Sequence, residues 1–441
     1  MTQINPSLYA DLDARGIVKQ VTSPELAGEL AKGPMTLYCG FDPTADSLHV
    51  GSLFSLLVLR RFQEAGHRVI TVVGGATGMI GDPSGKTQER SLLDESTLEK
   101  NLAGIRRVIE RFLKLDGPNP ATIVNNADWF KGMGYITFLR DVGKHFTVNH
   151  MLAKDSVRAR LEDREHGISY TEFSYMLLQA YDFWHLYRAH GCRLQLGGSD
   201  QWGNITEGTE LIRRMSARVD TSPTEDSEKT HAFGLTWPLL TKSDGSKFGK
   251  TESGTIWLSA ERTSPYAFHQ YFLQIADADI INLLRLLSFK PLSEITELER
   301  KMRESPEKRE AQHALADELT RLVHGDAELT RAVGASKALF SEDVRHLDEA
   351  TLLSVFAGAP SHRADRARLK DGILLLDLLV ESGLCASKGA ARKEVQGGGI
   401  YLNNERMADP MTPVTEKHLI AGRFAILRRG KKTHHLVDFH A

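Results

Sequence analysis

Tyr38-Cys39-Gly40-Phe41-Asp42-Pro43-Thr44-Ala45-Asp46-Ser47-Leu48-His49-Val50-Gly51-Ser52 is the stretch from which the fold can be read. The apolar run from Met35 to Phe41 predicts a buried strand. Asp42-Pro43-Thr44 turns the chain, and Asp46 or Ser47 is placed to N-cap a helix running to about Glu64. His49 then falls in the first helical turn, where unpaired N–H groups and the positive end of the helix dipole welcome an anion such as phosphate. Thr44 and His49 add side-chain donors. Gly51, without a side chain, lets a flat ring lie against the helix backbone. Alone, the pattern also fits an ordinary capped helix with a surface histidine, so its meaning depends on the rest of the chain.

Outward from this stretch, the first half alternates short apolar strands with amphipathic helices, the pattern of an α/β protein whose parallel sheet carries helices on both faces. Further strands are predicted over Arg68 to Gly74, Ala121 to Asn125, Arg193 to Leu196 and Phe233 to Leu240. A helix is predicted from about Ser96 to Leu115, with Ser96 and Glu99 spaced as a capping box. Ligands of such sheets sit at the carboxyl ends of the strands. From Ser264 to about Phe340 strand signals cease, and Ser264-Pro265 and Ser305-Pro306 both carry the N-cap and N1-proline signature. Residues 341–368 read as a linker holding at most a short helix. The tail is expected to hold helices over Asp371 to Ser382 and Ser387 to Gln396. Strands follow at Ile400 to Leu402 and Phe424 to Leu427, with a turn at Asn403-Asn404. The predicted organisation is 1–240, a connector over 241–263, a helical domain over 264–340, the linker, and a small α+β domain over 369–441.

Composition narrows the class. A chain of 441 residues is too long for one ordinary core, and 41% hydrophobic with 25% charged residues is usual for a soluble globular protein. With a formal net charge of −2, a nucleic-acid partner must be held by local patches. The stretch from Lys370 to Ala441 has 11 Lys and Arg against 8 Asp and Glu, a net of +3 that leaves −5 for the remainder. Cys39, Cys192 and Cys385 have no metal-ligand spacing, which predicts a reduced compartment without disulfides or zinc. Neither a signal peptide nor a membrane-spanning run is expected.

The glycine-rich loop at 74–87 fails both familiar phosphate motifs. Ile80 stands where a P-loop needs its first glycine, and Val73 where a dinucleotide fingerprint needs one. What remains is a loop carrying Asp82, Lys86 and Arg90, suited to an ammonium group and to phosphate oxygens, or simply solvated. In the helix from Thr171 to about His190, Tyr175, Gln179 and Asp182 share one face among Phe173, Met176, Leu177, Phe183 and Leu186. Polar groups so placed need partners, from a ligand or from an internal network. Gln195-Leu196-Gly197-Gly198-Ser199-Asp200-Gln201 ends the fourth strand with glycines for close approach and an acid suited to ribose hydroxyls. Thr241 to Thr251 includes Lys242, Lys247 and Lys250, a solvated loop or one that closes over a polyphosphate. Lys388, Arg392 and Lys393 lie on one tail helix, which suits an RNA backbone or plain water.

Together these segments resemble the bacterial tyrosyl-tRNA synthetases, a family of class I aminoacyl-tRNA synthetases, over nearly the whole chain. His49-Val50-Gly51-Ser52 is similar to the class I His-Ile-Gly-His signature, and Lys247-Phe248-Gly249-Lys250-Thr251 to its Lys-Met-Ser-Lys-Ser partner. Residues 370–436 resemble an S4-type RNA-binding module. The resemblance implies a Rossmann-like catalytic domain, a helical domain and an S4-like tail in a cytoplasmic homodimer. It implies that L-tyrosine and ATP, with Mg2+, form tyrosyl-adenylate and diphosphate before the tyrosyl group passes to the 3′ end of tRNA(Tyr). By the same resemblance Tyr38 and Asp182 bind the phenolic hydroxyl, and Asp82, Tyr175 and Gln179 the ammonium group, with Gln195 and Gln201 lining that pocket. Cys39, Gly198 and Asp200 meet the ribose and Gly51 the adenine. Thr44 and His49 meet the phosphates, with Gly40 and Asp42 in the ATP site. Lys86, Arg90, Lys247 and Lys250 gather on the pyrophosphate.

Ser52 replaces the second histidine of the first signature, and Phe248, Gly249 and Thr251 replace Met, Ser and Ser of the second. The competing readings are the tryptophan enzyme, less suited to Tyr38 and Asp182, a P-loop or dinucleotide enzyme, and a non-catalytic RNA-binding descendant. The polar stretch 221–230 receives no function.

Overall fold

The computed structural model describes residues 7–84, 93–154, 157–158, 161, 167–216, 232–246, 248–251, 254–338, 342–356, 360–430 and 433–440. Lys86, Arg90, Lys247 and the stretch 221–230 lie outside them, and Lys250 is described by its backbone alone. The chain forms two compact units, one of residues 1–259 with 276–311 and the other of 260–275 with 312–441.

The first unit is built on a six-stranded sheet of β1 (Gln20–Val21), β2 (Thr36–Phe41), β3 (Arg68–Val73), β4 (Thr122–Asn125), β5 (Cys192–Gly198) and β6 (Phe233–Trp237). Their order is β1-β6-β5-β2-β3-β4, with β2 to β6 parallel and β1 antiparallel at one edge. This is the expected α/β architecture. Most residues of β2, β3 and β6 are buried whichever way they point, as in parallel sheets covered on both faces. The chain runs outward from β2 to β4 and restarts on the other side of β2 at β5. That reversal opens a crevice beyond the carboxyl ends of β2 and β5.

Helices set the edges of that crevice. α1 (Val50–Glu64) buries Val50, Leu53, Phe54, Leu57 and Phe62, so it is held by the core along much of its circumference. Its N-cap is His49 itself, not Asp46 or Ser47, because the imidazole accepts from the Gly51 N–H. α2 (Glu95–Phe112) packs Leu98, Ile105, Ile109 and Phe112 inward. Its cap is Asp94 rather than the Ser96 capping box. The Asp94 carboxylate accepts from the Ser96 hydroxyl and from the hydroxyl and N–H of Thr97, and is held down to about 2 by those bonds. α3 (Tyr170–His190) starts on a Ser169 cap and stops at Gly191, whose φ of 60° is left-handed. α4 (Trp202–Ser216) follows β5. Helices Asp277–Leu287 and Leu292–Glu304 also belong to this unit. The buried guanidinium of Arg15 donates to the carbonyls of Ser288 and Lys290 between them, and that of Arg61 lies over Phe289.

The second unit joins helices to a small sheet. Pro265–Leu273 has the expected Ser264 cap, which accepts from the Ala267 N–H. Ser305-Pro306, at the end of the first unit, opens a single 3-10 turn instead of a helix, and the next helix, Glu310–His324, most of it in the second unit, begins after Arg309 at φ 50°. A five-stranded sheet is formed by Ser361–Asp365, Ile400–Leu402, Glu405–Arg406, Phe424–Arg429 and Thr433–His440. Ser361–Asp365 pairs in parallel with the final strand, so part of the stretch read as linker is an edge of this sheet. The tail helices span Leu375–Glu381 and Lys388–Gln396. The first starts late because Ile373–Leu374 pairs with Pro413–Val414. Asn403 and Asn404 adopt φ of 50° and 64°, as the turn between paired strands requires.

Candidate active site

Tyr38 and Gln195 are register partners across β2 and β5, so their side chains leave the same face of the sheet. Both are buried, and neither the Tyr38 hydroxyl nor Gln195 Oε1 has a hydrogen-bond partner among the described residues. Unsatisfied polar atoms on neighbouring residues in a packed interior mark a place for a polar guest. Burial, then the nearby Asp182 charge, pushes the Tyr38 phenol well above its ordinary range, so it remains an O–H donor.

α3 turns its polar face to the same place. The Asp182 carboxylate accepts from Asn126 Nδ2 at 3.1 Å and from Trp129 Nε1 at 2.8 Å. Burial nevertheless pushes its carboxyl up to about 8, against the downward pull of those two bonds. Two turns earlier, the Tyr175 hydroxyl donates to Asp42 Oδ2 at 3.0 Å, and the Thr77 hydroxyl donates to Asp42 Oδ1 at 2.9 Å. Asn126 also donates to Thr77, joining both carboxylates into one chain of bonds. Gly74 is required here. A Cβ on it would lie 2.3 Å from Asp42 Oδ1.

A second network lies across the cleft. Gln201 Nε2 donates to Asp82 Oδ2 at 2.7 Å, and the Ser84 N–H to Asp82 Oδ1 at 2.9 Å. Gln179 Nε2 donates to Gln201 Oε1, while Asn204 Nδ2 donates to Gln179 Oε1 at 3.1 Å. The carboxylates act on common neighbours. Burial first, then the charges of Asp42 and Asp82, raise the Tyr175 phenol, and desolvation in the cleft, then the Asp82 charge, raises the Asp200 carboxyl even though that residue is exposed. Such a negative pocket favours a cationic group. Cys39 is buried, with its thiol pushed up to about 12 by burial and then Asp200, so it is no nucleophile.

The helix start forms the cleft's other end. Thr44 and His49 are exposed, and Gly51 is partly so. His49 Nδ1 accepts from the Gly51 N–H at 3.0 Å, which places the ring proton of the neutral imidazole on Nε2. The hairpin of β7 (Lys250–Thr251) and β8 (Gly254–Thr255) belongs to the lysine loop, whose Gly249 has φ of 85° and lies so close to α1 that an added Cβ would fall 3.4 Å from Val50 Cβ. The structure thus brings the two short signatures together, with Ser52 in the first turn of α1. Gly40 and Asp42 end β2 or lie just beyond it, and Gly198 ends β5. Lys388, Arg392 and Lys393 lie on the exposed side of their tail helix, Lys388 paired with Asp377 at 2.5 Å.

Residues 30–341 match the sequence profile of the class I tRNA synthetases for tryptophan and tyrosine, and 352–437 that of the C-terminal domain of tyrosine–tRNA ligases. The chain belongs to the class I tyrosyl-tRNA synthetase family. It is 51% identical to the tyrosine–tRNA ligase of Bacillus caldotenax over 98% of this chain and 99% of that one. With the ligase of Opitutus terrae it is 50% identical over 98% of its length and 99% of the relative's. The C-terminally truncated mitochondrial tyrosyl-tRNA synthetase of Aspergillus nidulans superposes with a TM-score of 0.66 at 32% identity, covering 76% of this chain and 94% of that one. The family activates tyrosine with ATP and charges tRNA. For a synthetase of this family, Thr77, Asn126, Trp129 and Asn204 are the residues that sequence reasoning passed over. Asn126 immediately follows β4, and the rule about strand ends was the signal that could have found it.

Proposed function

We propose that the crevice between β2 and β5 holds tyrosine at its buried end and ATP at the start of α1. The observation that carries this is the pair of unsatisfied atoms on Tyr38 and Gln195, within the electrostatic reach of Asp182. A phenolic hydroxyl accepting from Tyr38 and bonded to the Asp182 carboxyl would satisfy the first. Asp82, Tyr175 and Gln179 would take the ammonium group, with Gln195 and Gln201 lining the pocket. Phenylalanine would leave the buried partners unpaired, at the cost of a lost hydrogen bond or more.

At the other end, Cys39, Gly198 and Asp200 would meet the ribose and Gly51 the adenine, with Gly40 and Asp42 in the same ATP site. Thr44 and His49 Nε2–H would face the phosphates, at the positive end of the α1 dipole. The tyrosine carboxylate oxygen attacks the α-phosphorus, the bond to the bridging oxygen breaks, and diphosphate leaves with that electron pair. The carboxylate is already ionised, so the protein need supply neither nucleophile nor general base. It supplies alignment and charge stabilisation, with Lys86, Arg90, Lys247 and Lys250 assigned to the departing diphosphate. Among the described residues no three His, Cys, Asp or Glu side chains form a cage for a cation. Magnesium is therefore proposed only as the companion of ATP, and no step is routed through it.

Lys388, Arg392 and Lys393 are proposed to meet the tRNA backbone. Tyr135, Ile136, Val148 and Tyr170 are exposed apolar side chains whose elements share one cluster, and Tyr135 and Tyr170 join hydroxyls at 3.0 Å. These exposed side chains are assigned to contact with a second copy in the homodimer the family resemblance implies. A cytoplasmic setting completes the reading. Tyr38→Phe and His49→Gly test the division of the cleft. The first should weaken tyrosine binding by about 1 kcal/mol, roughly fivefold, and relax selectivity against phenylalanine. His49→Gly should slow adenylate formation with tyrosine binding nearly intact. Loss of tyrosine binding alone in both variants would refute the division.

A further inference from the structure

Trp257 has no part in the roles assigned above, and it lies just past the lysine-loop hairpin. Residues 256–259 run antiparallel beside 47–50. The Val50 N–H donates to the Ile256 carbonyl at 3.0 Å, the Leu258 N–H to the Leu48 carbonyl at 2.8 Å, and the Ser259 N–H to Ser47 Oγ at 3.2 Å. The first two bonds flank His49 and Trp257, which form a bridge pair. A pair flanked in this way exchanges no hydrogen bonds of its own and brings its side chains closest. The rings meet edge to face, with centroids 6.2 Å apart and planes at 68°. A Cβ on residue 51 would fall 2.7 Å from His49 Cε1, so only glycine leaves the ring where the Gly51 N–H can reach Nδ1.

We propose that Trp257 is a positioning residue for tyrosine activation, holding the His49 imidazole so that Nε2–H faces the phosphate site. The proposal rests on the reading of His49 as a phosphate donor. The Gly51 N–H anchors Nδ1, and the indole blocks the swing that would break that bond. The same segment is tied to the lysine loop, because the Ile256 N–H donates to the Gly249 carbonyl at 3.0 Å. The histidine and the lysine loop are thereby placed by one piece of backbone, and Trp257 is the side chain that transmits this placement to the imidazole.

The test is a double-mutant cycle in the full-length chain, with tyrosine-dependent exchange of radiolabelled pyrophosphate into ATP as the rate and equilibrium dialysis for tyrosine affinity. Trp257→Leu removes the ring and leaves the backbone ladder. It should lower kcat for exchange by about threefold to tenfold, the scale of one aromatic contact, with tyrosine affinity changed by less than about twofold. Trp257→Phe should recover most of the rate. In a His49→Gly background, Trp257→Leu should cost less than about a further twofold, since the group it acts through is gone. The same fold-loss in both backgrounds, or a fall in tyrosine affinity matching the fall in rate, would overturn the positioning role and leave the phosphate role of His49 standing. An unchanged rate in His49→Gly alone would overturn both, and the single variant distinguishes that case.

Discussion

Asp182 sets the pH behaviour of the unliganded site. Its carboxyl is pushed from the ordinary 3.8 up to about 8 by burial. Between those values the native chain holds a proton that the unfolded chain has released, so the stabilisation is complete at the acid end and declines as pH rises towards about 8. Asp182→Asn carries no such proton. The thermal midpoint of the wild type, measured against that variant, should therefore fall as pH is raised across this window. A difference that stays flat would mean that Asn126 and Trp129 keep the carboxylate ionised throughout. Tyr38 and Asp182 were legible because a hydroxyl in an apolar strand and a carboxylate in an apolar helix stand out against their neighbours. Asn126 and Trp129 were not, since their importance comes from a contact made 53 to 56 residues away in sequence.

At the scale of elements, the parallel strands could be read because burial on both faces leaves long apolar runs, whereas their two-residue antiparallel edge, Gln20–Val21, carries too little pattern to see. Helix caps were harder. Asp94 displaced Ser96 as a cap by offering two acceptor oxygens to three donors, and His49 capped α1 through a ring nitrogen, a residue type outside the usual cap preferences. The strand Ser361–Asp365 was hidden because its pairing partner is the last strand of the chain. The lysine hairpin, paired beside the start of α1, is the element on which the rate should depend most. Lys250→Ala is expected to slow adenylate formation at least about tenfold while changing tyrosine affinity less than about twofold, as for a group that acts only in the transition state. Stopped-flow measurement of adenylate formation checks this, and equal losses in rate and affinity would make the lysine structural.

For the whole molecule, activation and tRNA recognition are assigned to different parts of the chain. The cleft residues fall within the first compact unit and the basic tail helix in the second. Replacing Lys388, Arg392 and Lys393 together with Glu should leave pyrophosphate exchange intact, weaken tRNA charging, and reduce the slope of tRNA affinity against salt. Unaltered charging by that variant would remove the tail helix from the RNA contact. The central claim concerns the cleft itself, and amino-acid-dependent exchange of labelled pyrophosphate into ATP tests it most directly. Tyrosine should support exchange, with phenylalanine and tryptophan far behind. Exchange driven by tryptophan in place of tyrosine, or by none of the three, would contradict it.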